Sequence, residues 1–219
     1  MSANPLHPSS PGRRIVLALT GASGIELGAV ALRLLAADTR VERIFLLASD
    51  HALRVMHDEL GWKPGARSEL AAQLLAGAPA GSPAFPPGLE KIETLSSRDI
   101  GHALASGSFP HDGMLVLPCS MGTLGAIAHG LSDNLIERAA DVCLKERRTL
   151  VLAPRETPLN LIHLRNLLAA AEAGATIFPL MPAFYDRALA PDAMMRQFAA
   201  RILAHLNLPQ DDAFVWRGR

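Results

Sequence analysis

Short, uninterrupted apolar runs alternate with longer amphipathic segments along most of this 219-residue chain. Apolar runs without polar alternation are typical of parallel strands that are covered on both faces. Strands that alternate with helices predict an α/β fold, namely a doubly wound, mostly parallel sheet with helices on both faces in a single domain. The predicted strands are 15–20, 43–48, 113–118, 149–153 and 175–180, with a shorter one at 92–95, and the predicted helices lie near 25–37, 50–60, 121–129, 134–147, 158–172 and 192–206.

Three segments are predicted to lie outside this regular pattern. Residues 1–12 contain three prolines and three serines and predict a flexible tail before a domain at 13–219. The segment 63–90 is rich in Pro, Gly and Ala and predicts a surface excursion. Residues 190–219 are predicted to form a C-terminal helix and arm. For the helix at 158–172, Thr157 is predicted as the cap and Pro158 as the first residue, with an apolar stripe along one face.

Charge and cysteine content exclude several classes of function. Lys+Arg and Asp+Glu both number 21, so the net charge is zero, which removes the electrostatic basis for a nucleic acid or an anionic membrane as partner. No apolar run approaches the ~20 residues needed to span a bilayer. Cys119 and Cys143 are too few and too far apart for a disulfide framework, so a cytoplasmic location is expected.

Small and hydroxyl residues follow the predicted strands, at the ends where a doubly wound fold binds its ligands. The turn at 20–24 (TGASG) offers N–H groups and the Ser23 hydroxyl to a phosphate at the positive end of a helix, although the bend alone also needs glycine. Ser49 follows the second strand. Ser120 and Thr123 flank a similar turn, for which an ordinary helix cap is the alternative. This pattern predicts a site for a phosphorylated, largely flat or apolar ligand.

Charged residues follow the fourth long strand and also lie on one predicted helix. Arg155 and Glu156 stand between Pro154 and Pro158 at a strand end, where a carboxylate beside a cation can act as a general acid or base. Arg138 and Lys145 are seven residues apart and share a helix face. That pair can bind an anion, or it can be the solvated flank of an amphipathic helix.

Other enzyme classes lack their motifs in this chain. The eight histidines are scattered without the spacing of a zinc site, so no metal is expected. The sequence contains no Gly-x-Ser-x-Gly elbow, so a serine hydrolase is not indicated. A short-chain dehydrogenase needs a Tyr and a Lys four residues apart, whereas the one tyrosine, Tyr185, has Leu at position 189.

Taken in order, these strings resemble the flavin prenyltransferase family, the small flavoproteins also called ubiquinone-pathway or phenylacrylic acid decarboxylases. The resemblance runs from about 14 to 216, is interrupted mainly at 63–90, and implies a Rossmann-like fold of the flavoprotein type. Several strings in the right order are far more specific than one glycine turn. They are TGASG at 20–24, ASGS at 105–108, PCS at 118–120, NLIERAADV at 134–142, LKERR at 144–148, PRETP at 154–158 and PAFY at 182–185.

The resemblance implies a metal-independent transferase that joins the dimethylallyl group of dimethylallyl phosphate to FMN. In that reaction the flavin N5 attacks the allylic carbon as phosphate leaves, and ring closure onto C6 gives prenylated FMN for a partner decarboxylase. A phosphate leaving group needs cations and a proton donor, and a cation-like allylic state needs a dry cavity. The resemblance also implies a homododecamer with the site at subunit boundaries.

The site residues implied by the resemblance fall into three roles. Glu156 is implied as the acid/base that relays a proton between flavin and leaving phosphate, with Lys145, Glu59 and Ser23 also in the catalytic set. The dimethylallyl phosphate is implied to contact Ser106, Lys145, Tyr185 and Arg201, with Trp216 as a hydrophobic wall. The implied FMN contacts are Gly21, Ala22, Ser23, Ser49, Ser120, Met121, Gly122, Thr123, Arg138 and Arg155.

The chain departs from the family pattern at three positions, and two alternative functions stay open. Ile25 and Leu27 stand where the family has a small residue and Tyr, and Asp50 stands where Lys is common. A flavin-dependent cysteine decarboxylase shares the fold and cofactor but uses a Pro-x-Met-Asn motif and a catalytic His, whereas this chain has PRETP at 154–158. A non-catalytic flavin-binding accessory would bind a decarboxylase without turnover.

Overall fold

Six parallel strands form one sheet, as the alternating pattern predicts. The structure is a computed structural model that describes residues 12–62, 69–77, 88–184 and 190–215. The sheet order is β3-β2-β1-β4-β5-β6, so the order of strands reverses between β1 and β4. The strands are β1 (Arg13–Leu19), β2 (Val41–Ala48), β3 (Ile92–Ser96), β4 (Gly113–Cys119), β5 (Thr149–Pro154) and β6 (Thr176–Ile177).

Helices cover both faces of this sheet. Residues of α1, α2, α3 and α7 pack in one hydrophobic cluster, and residues of α4, α5 and α6 pack in the other. The doubly wound α/β prediction is therefore confirmed. The helices are α1 (Ile25–Ala37), α2 (Asp50–Leu60), α3 (Leu70–Ala76), α4 (Met121–Ala128), α5 (Leu135–Lys145), α6 (Leu161–Glu172) and α7 (Pro191–Ala204), with short 3-10 turns at Leu89–Lys91 and Ala103–Ala105.

The central strand shows why the apolar runs lack polar alternation. Side chains alternate between the two faces of a strand. In β1, Leu17 and Leu19 face one hydrophobic cluster, whereas Val16 and Ala18 face the other. Because helices cover both faces, every one of these positions is buried and apolar.

The start of α6 differs from the prediction. Asn160, not Thr157, caps the helix by accepting a hydrogen bond from the His163 N–H at 2.8 Å, and the His163 ring accepts from the Asn160 N–H in return. Pro158 therefore precedes the helix. The predicted apolar stripe is present, but Leu161, Leu164 and Leu168 are exposed on the surface of the chain.

The segment predicted as a surface excursion contains α3, four of whose residues are buried. Leu70 and Leu74 belong to the same hydrophobic cluster as α1, so this part of 63–90 packs on the core. The rest of that segment, apart from 69–77 and 88–90, and the predicted tail up to residue 11 lie outside the described residues. Within the described parts of the chain, no helix has the length and apolar character to cross a membrane.

Candidate active site

The carboxyl ends of β1, β2, β4 and β5 bring together most of the residues predicted to bind flavin. The reversal of strand order between β1 and β4 lies among them, and this is the point where doubly wound folds bind ligands. We call this group the strand-end cluster. It consists of Gly21, Ala22, Ser23, Ser49, Glu59, Ser120, Met121, Gly122, Thr123, Arg155 and Glu156.

Thr20 ties the ends of β1 and β4 together. Its Oγ1 donates to the Pro118 carbonyl at 2.9 Å and accepts from the Ser120 N–H at 2.7 Å. Thr20 is only 1% exposed, so both bonds are shielded from water. The sequence pattern predicts no separate role for Thr20, although a hydroxyl that directly follows an apolar strand is a signal for such a bond.

Two predicted serines cap helices that begin at this edge. Ser49 Oγ accepts from the Ala52 N–H at 3.0 Å at the start of α2. Ser120 Oγ accepts from the Thr123 N–H at 3.3 Å at the start of α4 and donates to Thr123 Oγ1 at 3.1 Å. Ser120 is thus a helix cap, which is the alternative predicted for its turn, and Ser49 caps α2 in the same way. The positive ends of α2 and α4 lie beside the turn at 20–24, which is where an anion is stabilised.

Glycines shape the space beside these helix ends in two different ways. A Cβ on Gly21 would overlap the Cβ of His51, so the first turn of α2 packs directly on the turn at 20–24. A Cβ on Gly122 would have no neighbour within 4 Å, and the backbone there is not left-handed. Gly122 is exposed, so the chain itself does not need glycine there and the position is open to a ligand. Neutral hydroxyls, helix ends and this open space fit FMN.

We expect Gly122→Leu to weaken FMN binding about tenfold or more, because the side chain would occupy the space for the ring. The thermal stability should not fall, since a Cβ at this helical position meets no other atom within 4 Å. Quenching of FMN fluorescence measures the dissociation constant. Gly101→Leu is the matched control, because Gly101 is exposed in the loop after β3. Equal FMN affinities of the two variants would contradict a ring site at Gly122.

Glu59 connects the last turn of α2 to the first turn of α1. Its carboxylate accepts hydrogen bonds from the Gly24 N–H at 3.0 Å and the Ile25 N–H at 3.0 Å. Gly24 has a φ of +107°, and a Cβ there would lie 2.6 Å from Leu180. Glu59 therefore acts as an internal anion on the positive end of α1. It also fixes the turn that carries Ser23.

Glu59→Ala is expected to lower the free energy of unfolding by about 1 kcal/mol, because two N–H groups at the start of α1 lose their acceptor. Urea unfolding measures the change. Asp58→Ala is the matched control, since Asp58 pairs with Arg54 and His57 on the surface of the same helix. Surface pairs contribute little, so this control should not change stability measurably. An unchanged midpoint for Glu59→Ala would show that the cap is not needed for stability.

Cys119 is the last residue of β4 and directly precedes Ser120, but its thiol is unreactive. Burial raises the pKa of the Cys119 thiol to about 12, so the group is neutral near pH 7. A thiol acts as a nucleophile only as the thiolate. Cys119 is therefore part of the core and not a covalent catalyst.

Arg155 and Glu156 follow β5 beside the end of β4. The Arg155 N–H donates to the Cys119 carbonyl at 3.2 Å, and Glu156 Oε1 accepts from the Thr157 N–H at 2.9 Å. Both side chains are exposed in the single chain. The backbone thus fixes Glu156 at the strand-end cluster while its carboxylate stays open to a ligand or a second subunit.

The predicted phosphate ligands Lys145 and Ser106 lie at the other end of the sheet. The Leu135 N–H at the start of α5 donates to the Ser97 carbonyl just beyond the carboxyl end of β3, at 2.7 Å. The eleven residues of α5 then extend over about 16 Å to Lys145, shortly before β5 begins. A single chain therefore does not bring Lys145 to Glu156.

We call Ser106, Arg138 and Lys145 the α5 cluster. Ser106 lies in the loop at 105–109, and both cations of α5 lie against that loop. Arg138 Nε donates to the Ala105 carbonyl at 3.0 Å, and a Cβ on Gly107 would lie 2.5 Å from Lys145 Nζ. Both cations have acidic partners in the chain, Asp141 for Arg138 and Glu146 for Lys145. The two cations lie on one helix, as predicted, and Arg138 contacts the loop at 105–109 and Asp141 within the chain.

Arg201 lies in the last turn of α7 and lines an apolar groove of about 940 Å³. Phe184 and Val215 line the same groove. Tyr185 and Trp216 lie outside the described residues, but they are the next residues along the chain from these two. The groove thus brings Arg201 near both segments that lead to the other predicted substrate residues.

Comparisons with known proteins identify the family of this chain. The sequence model of the Flavoprotein family matches residues 4–200. The flavin prenyltransferase UbiX of Pseudomonas aeruginosa is 43% identical over 208 residues, which cover 93% of each chain. The mitochondrial flavin prenyltransferase PAD1 of Saccharomyces cerevisiae is 39% identical over 217 residues, which cover 99% of this chain and 79% of that protein.

Solved structures agree as well. AnUbiX (PadA1), crystallised with FMN and dimethylallyl pyrophosphate, is 40% identical, has a TM-score of 0.80 and matches over 95% of this chain and 99% of that one. A dodecameric FMN-dependent UbiX-like decarboxylase from Escherichia coli O157:H7 is 37% identical, with a TM-score of 0.77, over 94% of this chain and 100% of that one. The cysteine decarboxylase TvaF is 16% identical with a TM-score of 0.55, so it shares the fold alone. This chain therefore belongs to the Flavoprotein family and, within it, to the flavin prenyltransferases.

Proposed function

We propose that this protein transfers the dimethylallyl group of dimethylallyl phosphate to FMN and that a partner decarboxylase receives the prenylated FMN. The observation that carries the proposal is the strand-end cluster, where the exposed carboxylate of Glu156, the N-termini of α2 and α4 and the open position at Gly122 lie along one edge of the sheet. When bound, FMN supplies the nucleophilic N5 and C6 atoms that accept the dimethylallyl carbons.

The turn at 20–24 and the first turns of α2 and α4 would hold FMN through neutral groups. Ser23 is exposed in that turn, and Ser49 and Ser120 orient the helix ends toward it. Backbone N–H groups at helix ends stabilise a phosphate without a metal ion. The space at Gly122 would take the ring.

Glu156 would move a proton during the transfer. Its Oε1 accepts from the Thr157 N–H, which leaves Oε2 to take a proton and give it to a phosphate oxygen. Arg155 is its neighbour at the strand end and adds positive charge where the leaving phosphate gains negative charge. Proton donation and cation contacts both make phosphate a better leaving group.

The Lys145 and Ser106 that grip this phosphate would come from a second subunit. Within one chain, α5 carries Lys145 away from the strand-end cluster, so a complete site needs two chains. Exposed apolar side chains give a reason for assembly, because Leu161, Ile162, Leu164 and Leu168 on α6 are between 49% and 65% exposed. Patches of this kind mark protein interfaces. These two observations support sites at subunit boundaries, and the dodecameric relative supports a homododecamer.

We also propose a cytoplasmic location. Cys119 and Cys143 are both free and buried. Free cysteines are typical of reducing compartments.

The decisive experiment incubates purified protein with reduced FMN and dimethylallyl phosphate without oxygen and determines the mass of the flavin product. The expected product is heavier than FMN by one dimethylallyl group. A compound with a C-terminal cysteine in place of the phosphate tests the decarboxylase alternative, for which loss of carbon dioxide from the free cysteine carboxylate is the signal. Tight binding to a decarboxylase without any turnover would favour the accessory alternative.

A further inference from the structure

The loop at 105–109, which carries Ser106, is held from the side of α5 by two guanidinium groups. Arg138 donates to the Ala105 carbonyl at the start of the loop. Arg148 donates from Nη1 to the Phe109 carbonyl at 2.9 Å and from Nη2 to the Gly107 carbonyl. A guanidinium group is planar and its donors form a rigid fork, so these two bonds fix two carbonyls relative to each other. Arg148 thus determines the course of the loop after Ser106.

The same loop supports Lys145. A Cβ on Gly107 would overlap the Glu146 carboxylate and come within 2.5 Å of Lys145 Nζ. The Gly107 backbone is not in the left-handed region, so a side chain at 107 would act by displacing these two side chains and not by straining the backbone. The Lys145–Glu146 ion pair therefore lies directly on the loop that Arg148 holds.

The end of α5 places Arg148 beneath the loop. The Arg148 N–H donates to the Cys143 carbonyl at 2.8 Å, and Arg147 has a φ of +55°. This left-handed residue turns the chain, so Arg148 is part-buried against the loop whereas Arg147 is exposed. Arg147 and Arg148 thus carry the same charge, but Arg148 contacts the loop that holds Ser106 and Lys145, whereas Arg147 is exposed.

We propose that Arg148 and Gly107 are positioning residues for the phosphate of the dimethylallyl donor. Arg148 holds the loop, and the loop holds the Ser106 hydroxyl and the Lys145 ammonium at the places where phosphate oxygens bind. This inference rests on the proposed function, in which Ser106 and Lys145 contact the phosphate. Neither Arg148 nor Gly107 needs to contact the substrate.

The test compares Arg148→Gln with Arg147→Gln, because both remove one positive charge from adjacent positions. Calorimetry measures the binding of dimethylallyl phosphate to the FMN-loaded protein, and steady-state assays give KM and kcat. We expect about 10-fold to 100-fold weaker binding in Arg148→Gln, because a displaced loop would weaken the charge-assisted contact between Lys145 and the phosphate. KM should rise similarly, with FMN affinity unchanged. Arg148→Lys, which keeps the charge without the fork, should be intermediate.

The control separates positioning from charge. Arg147→Gln is expected to stay within about twofold of the wild type in both binding and KM, because screening weakens an exposed charge. Equal losses in the two Gln variants would mean that Arg148 acts only through its charge. Wild-type binding in Arg148→Gln would mean that the loop does not depend on it. Either result overturns the proposal for Arg148.

Gly107→Ala tests the proposal even if Arg148→Gln fails to fold. The atoms that the new Cβ would meet are the ends of flexible side chains, so the protein should fold normally while Lys145 is displaced. We expect about tenfold weaker binding of dimethylallyl phosphate. Wild-type binding would overturn the role of Gly107.

If the wild-type protein binds FMN but neither binds nor converts dimethylallyl phosphate, the proposed function fails. An active wild type with unaffected variants rejects only this inference.

Discussion

Glu156→Gln is expected to slow prenyl transfer about 10²-fold to 10⁴-fold, which is the usual contribution of general acid–base catalysis. Gln keeps an oxygen that can accept from the Thr157 N–H, so the local backbone should not change. It cannot exchange a proton with the phosphate. Because Glu156 is exposed in the chain, the substitution removes no packing from the core, and FMN affinity should stay near the wild-type value.

Single-turnover conversion of reduced FMN measures this effect, with FMN dissociation constants determined alongside. Glu172→Gln is the matched control, since Glu172 is an exposed glutamate in the last turn of α6. A Glu156→Gln rate above about a tenth of the wild-type rate would lie outside the range of acid–base assistance and would remove the proton role. Unchanged chemistry with lost FMN affinity would make Glu156 a structural anchor.

The fold was predictable because buried parallel strands leave a plain pattern. Leu17 and Val16 face opposite clusters and are both buried, so the sequence shows an unbroken apolar run. The edge strand was less predictable. The prediction covered 175–180, whereas β6 is only Thr176–Ile177, although the chain continues beside β5 after it. The Phe178 and Leu180 N–H groups still donate to carbonyls of β5.

The strand-end cluster was predictable from topology alone, since the carboxyl ends of parallel strands share one edge of a sheet. Its long-range bonds were not predictable. Glu59 reaches the start of α1 from a different helix, and Thr20 connects two strands that are far apart in sequence. Such contacts depend on the packing of whole elements, which the sequence pattern does not specify.

The location of Lys145 and the exposure of α6 show a second limit. A spacing of seven residues places Arg138 and Lys145 on one helix face, but it does not say near which end of the sheet Lys145 lies. An apolar stripe such as Leu161 and Leu164 likewise indicates burial without saying whether the same chain or another one covers it. Both features depend on the assembly, which one chain does not describe.

Mixed oligomers of Lys145→Ala and Glu156→Gln subunits are expected to recover activity that neither variant has alone. Loss of a charge-assisted phosphate contact in Lys145→Ala should cost on the order of 2 kcal/mol or more, with FMN affinity unchanged. In one chain, Lys145 and the strand-end cluster lie at opposite ends of α5, so one site takes the two residues from different subunits. A Lys145→Ala subunit still offers Glu156, and a Glu156→Gln subunit still offers Lys145. Random mixing in equal amounts should make about a quarter of the sites intact.

Co-expression with two affinity tags isolates the mixed oligomers, and the product assay gives their activity relative to the wild type. Oligomers of the wild type with the double variant Lys145→Ala/Glu156→Gln are the control. If two chains share each site, about a quarter of the sites in this control should also be intact. If one chain supplied both residues, the control would retain about half of the wild-type activity, and the mixture of single variants would show only the average of its two parents. That second pattern would contradict a site built between subunits, because Lys145 would then have to reach Glu156 within its own chain.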